Sequence, residues 1–546
     1  MDNAGATVFS RSERRNFARP GTDLVKLDWY FVQSGRQSSR LVSRGEPARP
    51  DGEVASRSVL ESVPSRSESM SDPADLESGA IPTQRWLVRA SHALGLGRPE
   101  LRAWALYDWA NSAMVCTIIT AVFPIYYSRV ACADVSSEEA SGRLAMATTI
   151  GMVVIAVMSP ILGAFADYAA LKKRLLGVFL ALGLTSVAAM YFIHTGDWLL
   201  ASVLFILANI GANGSFVFYD ALLPHIARPN EIDRVSTAGY ALGYLGGGLL
   251  LALNLAWLQK PGWFGLPSGP NLSEAEATLP ARLAFLSVAV WWLLFSIPLF
   301  RRVPEPKAAA HSDELRGEGP IRATIARLME TSRELRRYRQ GFLMLLAFLI
   351  YNDGIGTIIR MATVYGTELN IDQGAMIASI LIVQFVGIPF SFLFGTLAGR
   401  LGSKRSILLG LLVYTGICIV GYSMKTSWHF LALAILVGMV QGGTQALSRS
   451  LFASLIPREK SGEYFGFFAV VEKFAGILGP ASFFAVNRIT GSSRGAILGV
   501  IGFFAVGGLL LWLVDVEEGQ RQARATDPTS PGPLTSLASA PSSASG

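Results

Sequence analysis

A charge left facing hydrocarbon is costly, so the feature that most constrains this chain is where its charges are missing. Residues 109–128 carry none, and about 20 apolar residues are enough for one helix to span a bilayer. Comparable runs follow at 144–166, 175–193, 198–219, 235–259 and 283–300. Beyond a charged segment at 301–339, six further spans lie near 340–364, 373–399, 406–424, 426–448, 464–487 and 495–514. The expected fold is an all-α membrane protein with twelve transmembrane helices in two six-helix bundles, at 99–300 and 340–515. Trp104 and Trp109 at one end of the first span, and Tyr126 and Tyr127 at the other, suit rings seated at the headgroups.

Hydrophobic residues make up 51% of the chain and charged ones 16%, which argues against a soluble domain. The net charge of +7 does not point to nucleic acid, because the basic residues sit in tails and short loops between apolar runs, as the positive-inside rule demands. The loops with Lys172, Lys173 and Arg174, with Arg400, Lys404 and Arg405, and with Arg449, Arg458 and Lys460 all fall on the side of both termini, which makes both termini cytoplasmic. Residues 1–98 and 516–546 are Ser-, Arg- and Pro-rich and read as disordered tails. Met70 offers an alternative start of translation, which N-terminal sequencing of the native protein decides. Residues 321–338 alternate charge and apolar groups at helical spacing and read as an amphipathic helix in a cytoplasmic linker, 301–339. Cys116, Cys132 and Cys418 are too scattered for a disulfide framework or a metal site. No metal or cofactor is expected, and the protein is expected to be a monomer.

An internal repeat relates the halves. Gly163-Ala164-Phe165-Ala166-Asp167, ending in Lys172-Lys173-Arg174, follows the second span, and Gly395-Thr396-Leu397-Ala398-Gly399, ending in Lys404-Arg405, follows the eighth. A generic basic turn is the bland alternative. Both copies resemble the signature loop of the major facilitator superfamily, with Gly399 standing where the first copy has Asp167. A narrower resemblance, over about residues 100–515, is carried by Ala105-Leu106-Tyr107-Asp108-Trp109-Ala110-Asn111-Ser112, Phe218-Tyr219-Asp220-Ala221-Leu222-Leu223-Pro224, Tyr351-Asn352-Asp353-Gly354 and Gln441-Gly442-Gly443-Thr444-Gln445-Ala446-Leu447-Ser448-Arg449-Ser450. These are similar to the autophagy-related vacuolar effluxer family and its bacterial relatives. The resemblance implies amino-acid export from a degradative compartment for fungal members and a permease of the cytoplasmic membrane for bacterial ones. The bacterial cytoplasmic membrane is the expected location here, with the vacuolar membrane as the alternative.

Polar residues form stripes on four spans in equivalent positions of the repeat. The first span carries Asp108, Asn111 and Ser112, the fourth Asn209, Asn213 and Asp220, the seventh Asn352, Asp353, Thr357 and Arg360, and the tenth Gln441, Thr444, Gln445 and Ser448. Helical spacing puts each set on one face, and the repeat arranges the four about one axis, which implies a central polar cavity. Interhelical packing bonds are the alternative reading. Charges within the hydrocarbon are sharper: Asp353 interrupts the seventh span and Glu472 with Lys473 the eleventh, at about 2.5 to 3.5 kcal/mol each if they faced lipid. Asp353, Arg360 and Lys473 are expected to form a charged centre for a zwitterionic solute, with Asn352, Gln441, Gln445, Asn111 and Asn213 adding hydrogen bonds. Arg360 follows Asp353 by seven residues, about 10 Å along a helix. Lys473 is expected to pair with Asp353 in the empty state, or to neutralise it structurally only. Coupling and gating fall to Asp353, Glu472, Asp108, Asp167, Lys172 and Arg174, with Asp167 reaching cations or helix N-termini across the bundle interface.

No metal-protease or nucleophile motif and no GxxxxGK[ST] loop is present, so neither an enzyme nor an ATP-driven pump is expected. A secondary transporter moving a small polar solute, most simply exporting amino acids with proton coupling, is the expected function. A facilitative permease, a channel, or a membrane protein without transport activity are the rivals. Reporter fusions at Asp372 and Lys404 should report opposite sides of the membrane. Equal accessibility at both would refute the topology.

Overall fold

The computed structural model describes residues 91–525 apart from 93, 270, 308–337, 369, 370, 372 and most of 475–492, and all of these belong to one compact unit, Ile81–Gly546. Six helices make the N-terminal half: α1 Pro99–Ala131, α2 Ser137–Ala169, α3 Lys172–Ala189, α4 Trp198–Ile226, α5 Ile232–Gln259 and α6 Glu274–Arg302. In the C-terminal half come α7 Arg339–Glu368, α8 Gln373–Leu401, α9 Ser403–Tyr422, α10 Ser427–Ser454, α11 Ser461–Phe474 and α12 Ile501–Leu513, the last preceded by a short helical segment at Ser493–Gly499, and then α13 Val516–Ala525. Among the described residues ten helices, α1 to α10, are long and apolar enough to cross a membrane, and an eleventh if Ile497–Leu513 and Val516–Ala525, bent by 57°, count as one span. The expected eleventh span runs from α11 into residues that lie largely outside the described ones, as does the expected linker helix.

Local chemistry starts these helices where a cap is at hand. Ser136 accepts the Glu139 N–H (3.2 Å) ahead of α2, and Ser273 with Glu276 forms a reciprocal capping box ahead of α6. Past the end of α6, Glu305 accepts the Lys173 N–H (3.0 and 3.1 Å) at the start of α3. Burial pushes this carboxyl above its usual range against the pull of Lys173 and Lys172.

Helix pairing repeats between the halves. α1 packs on α5 and α6 as α7 packs on α11 and α12, α3 on α4 as α9 on α10, and α2 on α4 as α8 on α10. The halves meet through α2 against α11 and α5 against α8, the two equivalent pairs of a pseudo-twofold arrangement. Small residues allow these approaches. Side chains at Gly163 and Gly395 would collide with Gly462 of α11 and Thr237 of α5. Glycines four residues apart on α5 receive α1: a Cβ at Gly239 would lie 2.6 Å from Asp108 Oδ2, at Gly243 2.6 Å from Ser112 Oγ, and at Gly247 2.8 Å from Cys116 Sγ.

Three expectations need correction. Trp104, Tyr126 and Tyr127 are not headgroup anchors but are buried in the N-terminal half, because α1 begins ten residues before the uncharged run and carries Trp104 inside the bundle. The folded region begins before residue 99, since Arg98 pairs with Glu231 and donates to the Ile226 carbonyl (2.7 Å), tying α1 to the α4–α5 loop. Residues 516–525 are helical and not a disordered tail: Gln520 donates to Ser454 Oγ (3.2 Å), and Gly519 sits against Leu455 and Gln340.

Gly243→Val should lower the unfolding temperature by the equivalent of about 1 to 3 kcal/mol through overpacking, whereas Gly416→Val, with open space at its Cβ, should leave it near wild type. Equal thermal denaturation profiles of the two variants would contradict the α1–α5 contact.

Candidate functional site

Among the described residues, a cluster of charge lies between the halves, near the face carrying the basic loops. Arg449 of α10 is 3% exposed. It stands five residues before the end of its helix, so its Cα is about 8 Å inside. Opposite it are Asp108 of α1, Asp220 of α4 and Ser236 of α5, all from the N-terminal half. Arg449 Nη1 donates to Asp220 Oδ1 (3.0 Å) and Nη2 approaches Asp108 Oδ2 at 3.3 Å. Its Nε donates to Ser236 Oγ (3.0 Å) and its Nη2 to the Ser236 carbonyl (3.0 Å), while Ser236 Oγ donates to the Ala446 carbonyl (2.7 Å). Tyr219 OH donates to Asp108 Oδ2 (2.8 Å). The guanidinium also lies 4.8 Å from the Trp104 ring, 4.7 Å from Tyr240 and 5.6 Å from Tyr219, within range of cation–π attraction. Trp104 and Tyr219 hold each other, stacked at 4.4 Å, with Trp104 Nε1 donating to the Tyr219 carbonyl (3.0 Å).

A second tier lies closer to the basic face. Asp167, near the end of α2, pairs with Lys172 at the start of α3, and both are buried. Its Oδ1 accepts the Gly462 N–H (3.1 Å) and its Oδ2 the Glu463 N–H (2.9 Å), so one carboxylate caps the N-terminus of α11 across the interface. His225 of α4 and Ser461 of α11 are 3.0 Å apart beside it. In the second repeat Gly399 carries no acid. Asp233 in the first turn of α5 accepts the Ser403 hydroxyl (2.6 Å) and that of Ser450 instead.

The other residues singled out from sequence are scattered. Asp353 is fully buried and its Oδ2 accepts the Gly479 N–H (2.7 Å). Lys473 makes its salt bridge with the adjacent Glu472 (3.3 Å) and not with Asp353. Arg360 is exposed and Asn352 buried. The α10 stripe divides. Ser448 Oγ meets Tyr351 OH (2.6 Å) and Thr444 packs on Gly410 of α9, both inside the C-terminal half, while Gln441 and Gln445 are half-buried. Asn213 and Asn209 donate along their own helix, to the carbonyls of Asn209 and Phe205 (both 2.9 Å). Arg174 is exposed, and Asn111 is fully buried.

Residues 97–524 match the model of a family described as "Vacuole effluxer Atg22 like". The chain belongs to that family. Its similarity to an uncharacterized MFS-type transporter, YxiO, of Bacillus subtilis is 36% identity over 422 residues, covering 76% of this chain and 94% of that protein. Autophagy-related protein 22 of Yarrowia lipolytica is 27% identical over 326 residues, and there the match spans about half of each protein, 54% and 52%. Among solved structures, the proton:xylose symporter XylE aligns with a TM-score of 0.57 at 13% identity over 78% of this chain and 98% of its own. The fucose transporter FucP, in its outward conformation, aligns with 0.56 at 15% identity over 77% and 100%. The fold is that of the major facilitator superfamily, and the protein is a multi-pass membrane transporter of the secondary kind, not an enzyme. The bacterial relative fits a cytoplasmic membrane, and the fungal relatives keep the vacuolar alternative.

Within this Atg22-like fold, Arg449 is the residue that sequence reasoning misplaced, taking it for a loop cation. The signal was present: Leu451, Phe452 and Ala453 continue the apolar helix beyond it. The position of Asp108 and Asp220 at the margin of their spans suits a solvated or a clamping role, and here both clamp Arg449, Asp108 buried and Asp220 half-buried. Removing one member of a buried pair typically costs about 3 to 5 kcal/mol, far more than a surface pair. Arg449→Leu is therefore expected to lower the unfolding temperature sharply in detergent, and adding Asp108→Asn with Asp220→Asn to restore much of the loss. A single Leu variant as stable as wild type would show that the charges do not hold the halves together.

Proposed function

We propose that this transporter exports amino acids or closely similar small polar solutes by alternating access coupled to protons, with the Arg449 and Asp167 contacts as the locks of the basic, cytoplasmic face. The observation that carries the reading is the burial of Arg449 and Asp108, with Asp220 half-buried beside them, between the two halves. Within one rigid bundle such charges would be a static cost. Across an interface they are a closure that separates when the halves rock and water enters. The Asp167 carboxylate on the α11 N-terminus belongs to the same closure, so its loss biases the equilibrium between inward and outward states. Lys172 anchors that carboxylate, and Arg174 adds a cation at the same edge.

For the solute itself, Asn352, Asp353 and Arg360 on α7, with Gln441 and Gln445 on α10 and Asn111 and Asn213 on the N-terminal half, remain the recognition set we favour. Asp353 is the acid of this set whose protonation we assign to coupling. Lys473 and Glu472 neutralise each other in the closed form and are assigned to gating. The family's description as "Vacuole effluxer Atg22 like" supports the export direction by family likeness.

Purified protein in liposomes should show saturable counterflow of amino acids, and accumulation when a pH gradient is imposed. Asp353→Asn should keep exchange and lose accumulation. Asp167→Asn should slow exchange with little change in half-saturating concentration. Absence of counterflow with every amino acid tried would end the substrate assignment, and accumulation unchanged in Asp353→Asn would move coupling elsewhere.

A further inference from the structure

The guanidinium of Arg449 sits in a box built wholly by the other half of the molecule. Its walls are two carboxylates, Asp108 and Asp220, and three rings, Trp104, Tyr219 and Tyr240, on α1, α4 and α5. When the halves part, Arg449 leaves with α10, while Trp104, Tyr219 and Asp108 stay held together by the Trp104–Tyr219 stack and the Tyr219–Asp108 bond, and Asp220 and Tyr240 stay with α4 and α5 of the same half. We propose that this box is an organic-ammonium site of the N-terminal half, plugged by Arg449 while the basic face is closed and filled by the amino group of the solute when it opens. The inference rests on the alternating-access reading above.

Charge favours a cationic occupant. Two carboxylates face one guanidinium, and once that cation withdraws they are left side by side as a like-charged pair that a replacement cation stabilises. The rings select its kind. Aromatic faces favour a large, weakly hydrated cation, as in the recognition of alkylated ammonium groups, whereas a small inorganic ion keeps its water. Room is provided by Gly239, where a Cβ would stand 2.6 Å from Asp108 Oδ2 and 3.1 Å from the Trp104 ring.

An independent observation lies one helical turn deeper. Asn111 shares the Asp108 face of α1 and is fully buried, and among the described residues neither its amide nitrogen nor its amide oxygen has a hydrogen-bond partner. Buried amides are rarely left so. A donor and an acceptor held open beside an ammonium box suit the remaining polar groups of a bound amino compound.

The test uses the full chain in nanodiscs, with n-butylammonium as probe and n-butanol and sodium as controls, read by calorimetric titration. Arg449→Gln should bind n-butylammonium roughly tenfold or more tighter than wild type, Asp108→Asn with Asp220→Asn in that background should abolish binding, and n-butanol should not bind. In wild type, n-butylammonium should accelerate hydrogen exchange at the Gly462 and Glu463 amides, which the closed face protects. Equal affinity in wild type and Arg449→Gln, binding that survives loss of both acids, or equal competition by sodium each overturns the proposal. If Arg449→Gln does not fold, unchanged exchange at those amides in wild type overturns it. Ammonium binding without counterflow would leave the site standing and remove the transport reading, and counterflow without ammonium binding would do the reverse.

Discussion

A guanidinium keeps its charge at any physiological pH, so Arg449 has only two stable surroundings: water, or a set of acceptors that replaces water. The closed basic face supplies the second, and much of the arrangement around it follows. Asp108 and Asp220 come from different helices because one helix face cannot surround a planar cation. Ser236 offers its hydroxyl and its carbonyl, which use the remaining donors. Trp104 and Tyr240 cover the flat faces. Every one of these partners belongs to the opposite half, so satisfying one side chain of α10 brings α1, α4 and α5 into register against it.

The same interface shows how a repeat can diverge without losing its contacts. At the α2–α11 junction the acid lies on the loop side, where Asp167 accepts two backbone N–H groups of α11. At the equivalent α8–α5 junction the loop position is Gly399, and the acid stands across the gap as Asp233 in the first turn of α5, taking hydroxyls from Ser403 and Ser450. An acid is favourable at either helix N-terminus. The first junction adds Lys172 and is fully charged, whereas the second uses neutral donors. Because Lys172 belongs to the same half as Asp167, separating the halves breaks carboxylate hydrogen bonds at both junctions, to backbone N–H groups at the first and to hydroxyls at the second.

Uncharged polar residues have more varied uses. Asn209 and Asn213 satisfy themselves along their own helix, Ser448 joins Tyr351 inside the C-terminal half, and Asn254 with Thr117 and Ser287 links three helices of the N-terminal half. A stripe on a helical wheel records only that the residues share a face; whether the face meets another helix, the opposite half or solute is decided by its neighbours.

The sequence alone determined that this chain crosses a membrane many times, that it is a two-part repeat, and which loops share a side, because the costs of charge in hydrocarbon and of unpaired backbone are local and can be read residue by residue. The four-residue spacing of Gly239, Gly243 and Gly247 is legible there too, although only the structure shows that the helix they admit is α1. The centre of the charge network was decided only by tertiary structure. Arg449 and Asp108 are 341 positions apart, and no periodicity along either helix tells that the two ends come together. Asp353 and Lys473 looked like partners by depth, but depth fixes one coordinate of three, and packing gave Asp353 a backbone N–H and Lys473 its neighbour Glu472.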